Sequence, residues 1–150
     1  MAAKFVTREN IHVDRVACPW LIKRFIDPEA ELLFVGRDEV LATAEREGAL
    51  PYDLPGAEIE LTHHGDHCSF DAFIDTYGLG GDPALLDLAQ IVRAADIQSQ
   101  RDARPEAAGL EAIAAGFRLS GKIDQELLEL QFPLYDALYA YCRKRVTSDR

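Results

Sequence analysis

The period of this sequence changes at Gly65. From Glu58 to His63 polar and apolar residues alternate, the pattern of a half-buried strand, with Ile59, Leu61 and His63 on one face and Glu60, Thr62 and His64 on the other. Gly65 permits a turn, Asp66 or Ser69 can cap a helix, and Phe70–Tyr77 reads as that helix, closed by Gly78. Beyond it the pattern is almost wholly helical. Any sheet must therefore be built from about the first 63 residues, where Lys4–Thr7, Ile11–Ala17 and Glu31–Val35 also have strand-like content.

The remaining elements follow from breakers and periodicity. Pro19 suits the first position of a helix in which Leu21/Phe25 and Ile22/Ile26 repeat at i, i+4, and Pro28 ends it. An amphipathic helix spans about Asp38–Glu47, and the order strand–helix–strand up to His63 allows a parallel pair with a crossover. Asp82-Pro83 opens a helix ending near Asp96, and Gln98 to Arg104 reads as a polar, mobile loop. Pro105 opens the next helix, and Ile123–Arg145 follows, broken or kinked at Pro133. The expected fold is α+β: a two- to four-stranded sheet from the N-terminal half packed with about five helices, the C-terminal half all helical. One domain over 1–150 is expected, with flexible ends at about 1–3 and 146–150.

The turn at Gly65 is also where the chemistry concentrates. Thr62–Asp71 holds three of the four histidines and one of the three cysteines. Imidazole, thiolate and carboxylate are the ligands of first-row transition metals. The HHxxHC spacing matches no zinc-finger, HExxH or EF-hand pattern. His63, at the inner end of the strand, is the leading ligand candidate, with Cys68 and Asp71 beside it in the first helical turn. His64 and His67 read as exposed turn residues; Asp71 could also serve the helix N-terminus, and Cys68 the core. A second dense segment, Asp14–Pro28, carries Asp14, Arg15, Cys18, Trp20, Arg24 and Asp27. These either line a pocket or serve as turn cap, surface ion pair and packing.

Charge narrows the function classes. With 16 basic and 26 acidic residues the formal net charge is −10, and no basic stripe is present, so this chain alone is not expected to bind nucleic acid. The same field favours cations, and an anion needs a local arginine cluster. No run approaches a membrane span, and the first residues lack a signal peptide's apolar core. Three cysteines without a framework suit a reducing cytoplasm.

The segments DRVACPWLIKRFIDPEAE and LPGAEIELTHHGDHCSFDAF, with DPALLDLAQIVRAAD, RPEAAGL and YDALYAYCR behind them, resemble the chromate-resistance domain family, the C-terminal domain of ChrB-type proteins. The resemblance covers about residues 11–145. It implies a cytoplasmic bacterial protein of the chromate stress response. In related architectures the domain follows an N-terminal region in chromate-responsive regulators or accompanies rhodanese-like sulfurtransferase modules. This sequence begins close to the matching segments, which agrees with the charge in arguing against direct transcriptional control. The resemblance places functional weight on Asp14, Arg15, Cys18, Trp20, Arg24 and Asp27, on His63, Cys68 and Asp71, and on Asp96.

The leading expectation is a metal-binding domain for chromate or heavy-metal response. His63 and Asp71, with Asp96 or Asp27 and Cys68, would hold iron, manganese or zinc, while Arg15 and Arg24, beside Trp20, would hold an oxyanion. The alternatives are a metal-dependent oxidoreductase or hydrolase at the same site, and thiol-based chromate reduction by Cys18 or Cys68, the former activated by a helix N-terminus. A homodimer is compatible with the sequence.

Overall fold

The computed structural model describes residues 2–148. Strand β1 (Lys4–Arg8) lies at the centre of a three-stranded parallel sheet, between β2 (Glu31–Val35) and β3 (Leu50–Pro51). The first crossover is α1 (Asp14–Leu21), continued by a π-helical turn over Ile22–Ile26. The second is α2 (Val40–Glu47), entered through a 3-10 turn at Arg37–Glu39. Then come α3 (Ser69–Thr76), α4 (Pro83–Asp96), a 3-10 segment at Gln98–Ala103, α5 (Glu106–Arg118) and α6 (Asp124–Ser148). This is the expected α+β arrangement, with a small sheet in the N-terminal half and a helical C-terminal half.

Alternation along β1 divides the core. Phe5 joins Trp20, Phe73, Leu88 and Tyr135 in the main cluster, while Val6 turns to a smaller one with Val40, Ala44 and Leu54 under α2. The C-terminal end of β1 and the starts of α1 and α3 thereby come together, a usual place for a site in parallel sheets.

Several local expectations are corrected. Ile11–Ala17 is not a strand: α1 begins at Asp14, and Ala17 N–H donates to the Val13 carbonyl at 2.8 Å. Pro19 accordingly stands inside α1 rather than at its start. It cannot donate to the Arg15 carbonyl, and the helix widens a turn later, Asp27 N–H bonding Ile22 five residues back at 2.8 Å. Glu58–His63 is irregular despite its alternation, because its neighbour β3 stops at Pro51, which has no N–H to extend a ladder. A single backbone bond, Asp53 N–H to the Leu61 carbonyl at 2.8 Å, remains between the two segments.

Residues 98–103, read as a mobile loop, are a 3-10 segment tied down by Arg101, whose Nε and Nη2 donate to the Ala94 and Ala95 carbonyls at 3.0 and 2.9 Å. These are carbonyls at the C-terminal end of α4, which a guanidinium satisfies well. Helix α6 passes Pro133 without a break, since Pro133 is exposed and the carbonyl left without a helical donor is on the solvent side. α6 runs to Ser148. Arg101→Ala should lower stability by about 1 kcal/mol, discounting for its partial exposure, with an unchanged urea m-value. A midpoint equal to wild type would show that the 3-10 segment does not depend on this cap.

Candidate metal centre

Asp14, first residue of α1, is completely buried. Its Oδ2 accepts from Ser69 N–H at 2.8 Å and its Oδ1 from Phe70 N–H at 3.2 Å, so it occupies the N-terminus of α3, where free N–H groups and the helix dipole favour a carboxylate. His63 comes from the irregular segment before α3. Its Nε2 is 2.9 Å from Asp96 Oδ2, at the C-terminal end of α4, 3.4 Å from Asp14 Oδ2 and 3.5 Å from Asp53 Oδ1. One ligand atom from each of Asp14, His63 and Asp96 lies within 4.8 Å of the others.

The electrostatics of the cluster are unbalanced. Burial, and then the Asp96 charge, push the Asp14 carboxyl up to about 7. Contacts with Asp14 and then Asp96 raise the His63 ring to about 10 against its partial burial. Yet none of the carboxylates lies along the direction of the Nε2–H, and that buried atom has no directed hydrogen bond. An imidazole nitrogen thus faces several carboxylates without a hydrogen-bond partner among them.

Asp53 supports the cluster from one side. Its Oδ2 meets Arg8 Nη2 at 3.1 Å and Arg15 Nε at 3.3 Å, and its Oδ1 accepts from Ser69 Oγ at 2.8 Å. Arg15 is otherwise held by the Arg8 and Glu9 carbonyls at 3.1 and 2.9 Å. Backbone strain gathers here too: Asn10, Val13 and Asp53 have φ of 61°, 29° and 47°, values that cost a β-branched residue such as Val13 the most.

With this geometry in view, comparison with known proteins is informative. A sequence model of the family described as "ChrB, C-terminal domain" matches residues 5–142. The chain belongs to this chromate-resistance family. It is also 38% identical over 138 residues to Protein ChrB of Cupriavidus metallidurans, covering 92% of the chain and 40% of that protein. The chain therefore spans well under half the length of this curated relative. No solved structure matches.

The fold distributes the other candidate residues over several places. Asp71 is committed to Arg93, which donates from Nε and Nη2 at 2.9 and 3.0 Å, and to Cys68 N–H at 3.0 Å. Cys68 is buried with its Sγ 3.4 Å from Asp71 Oδ2. Asp27 accepts from Ala3 and Glu29 N–H, both at 2.9 Å, beyond the π-helical turn. Trp20 and Arg24 both donate to Asp136 of α6, at 2.8 Å from Nε1 and 2.9 Å from Nε. Arg24 and Arg15 thus face different carboxylates.

Cys18 sits inside α1, 3.8 Å from Asp14 Oδ1, rather than ahead of a helix N-terminus. Burial first, and then the Asp14 charge, raise both Cys18 and Cys68 well above the ordinary thiol value, opposite to the activation expected for Cys18. His64 and His67 are exposed, paired through their backbones across the turn. No helix among the described residues is long and apolar enough to cross a membrane.

Asp53 is the residue that sequence reasoning missed. The one available signal was an acid between Tyr52 and Leu54 in a segment bounded by Pro51 and Pro55. Because the His63 pKa is raised in the fold, its protonation stabilises the metal-free protein below the ordinary value of 6.5, and that contribution is lost as pH rises through about 10. The His63 ring nitrogens in an NMR titration should therefore keep the shifts of a protonated imidazolium across neutral pH. A titration at the ordinary histidine value would contradict the ion-pair geometry.

Proposed function

We propose that this domain binds a first-row transition-metal ion through Asp14, His63 and Asp96, as its part in the chromate or heavy-metal response. The observation that carries the reading is the His63 Nε2, buried, 2.9 Å from one carboxylate and 3.4 Å from another, with no directed hydrogen bond to either. A cation between the three groups would use the ring lone pair and discharge two carboxylates that have no arginine of their own among the described residues. One imidazole and two carboxylates suit iron, manganese or zinc. When bound, such an ion supplies a Lewis-acid centre to which a small oxyanion can attach.

The chain's own residues have separable parts in this reading. The α3 N-terminus aims Asp14 through the Ser69 and Phe70 N–H groups, and Arg101 steadies the end of α4 that carries Asp96. Arg8 and Arg15 neutralise Asp53 from behind. His63 and Asp96 form the accessible side, with side chains 30% and 14% exposed. An oxyanion then meets the cation rather than an Arg15–Arg24 pair. The buried, raised thiols of Cys18 and Cys68 weigh against a nucleophilic route.

Elemental analysis of untagged protein should give about one equivalent of metal per chain, before or after anaerobic reconstitution with iron, manganese or zinc. His63→Ala and Asp96→Asn should each lose it, while Asp71→Asn, which alters the Arg93 pair, should retain it. Full stoichiometry in His63→Ala, or none in wild type under every condition, would sink the assignment. Since the ligating ring must be neutral, binding at neutral pH should also expel a proton. Calorimetry in buffers of different ionisation enthalpy detects this, and a buffer-independent heat would contradict it.

A further inference from the structure

Helix α6 is apolar on two sides, and the fold accounts for only one of them. Leu127, Leu128, Tyr135 and Cys142 are buried against the body of the domain. A second row, Leu130, Leu134, Ala137 and Tyr141, recurs at spacings of four, three and four residues, the spacing of a coiled-coil seam. Leu130 and Tyr141 are 47% and 49% exposed, Ala137 is exposed and Leu134 half-buried. Beside this row a groove of about 350 Å³, lined by Gly109, Ile113, Leu134, Ala137 and Leu138, separates α6 from α5.

The charges at the ends of the row identify what fits it. Glu126 and Lys144 are exposed, and among the described residues neither has an ion-pair partner. They are eighteen residues apart, five full turns, so they stand on the same side of the helix. The midpoints of Glu126 and Lys144, of Leu130 and Tyr141, and of Leu134 and Ala137 all fall at residues 135 to 136. A face with that symmetry is complementary to itself when two copies run antiparallel. Leu134 then meets Ala137, Leu130 meets Tyr141 and Glu126 meets Lys144, each pair occurring twice, as an isologous two-fold interface requires.

We propose that the domain forms a homodimer through this face of α6, with two α5–α6 pairs assembled into a four-helix layer. Glu126 and Lys144 bring one acid and one base from each copy, and Glu106, which lines the groove and accepts from the Tyr141 hydroxyl, is already paired with Arg104, so the contact adds little repulsion to two chains of net charge −10. Parallel pairing would set Glu126 on Glu126 and Lys144 on Lys144, which disfavours it.

Sedimentation velocity on the full chain across the micromolar range tests the pairing. Wild type should be dimeric. Glu126→Lys and Lys144→Glu, each alone, should weaken dimerisation by roughly tenfold or more, because both contacts become like-charged. An equimolar mixture of the two variants should regain the dimer as a heterodimer, in which both contacts are again opposite in charge. Recovery on mixing also shows that each variant is folded. A monomeric wild type, single variants as dimeric as wild type, or a mixture that stays monomeric would each overturn the proposal.

Discussion

The arrangement depends on one buried carboxylate at the start of one helix bonded to the start of another. Asp14 opens α1 and accepts from Ser69 and Phe70 N–H at the head of α3. Two N–H groups that would otherwise be buried without partners are satisfied, and the carboxylate gains bonds that offset its loss of water. The same contact sets α1 against α3. It also brings the segment between β3 and α3 over the end of β1, so that His63 faces Asp14 rather than solvent.

The acids of this protein fall into two groups when their partners are compared. Asp71 with Arg93, and Asp87 with Arg104 and Arg145, are matched to guanidinium groups through several short contacts. Such networks hold helices together and leave no acceptor free. Among the described residues the one ion-pair partner of Asp14 and Asp96 is the His63 they share, and the strained backbone at Val13 and Asp53 lies beside them. An acidic centre with too little positive charge, on a backbone held away from its preferred conformations, differs from the structural pairs around it.

Much of the fold was legible because local signals agreed with tertiary demand. β2 and α2 follow from an apolar run, a helical stripe and the Gly48 stop, and α4 follows from Asp82-Pro83 as cap and first position. The misreadings have specific causes. Ile11, Val13 and Val16 are β-branched and suit a strand, yet Ile11 and Val13 are buried in the turn before α1 and Val16 lies within it, a helix buried along its whole length. Glu58–His63 alternates in sequence but not in space: Ile59 and Leu61, expected on one face, pack against different clusters, and Pro51 denies the segment a strand to pair with. His63 stood out from its neighbours because a ligand type occurred on an apolar face. Asp53 did not, because its position beside Ser69, Arg8 and Arg15 is created only by folding.

The sequence by itself determined the α+β class, the confinement of strands to the first part of the chain, the family and the weight on His63. These depend on periodicity, turn residues and local motifs, which act over a few residues. Asp96 aside, which carboxylates meet His63 was decided by tertiary structure alone. Asp71 is near in sequence but is drawn away by Arg93 on α4, whereas Asp14, Asp53 and Asp96 are distant and are gathered by the packing of α1, α3 and α4 around the end of β1. Charge attraction between groups far apart in the chain is expressed only after burial has fixed their distances.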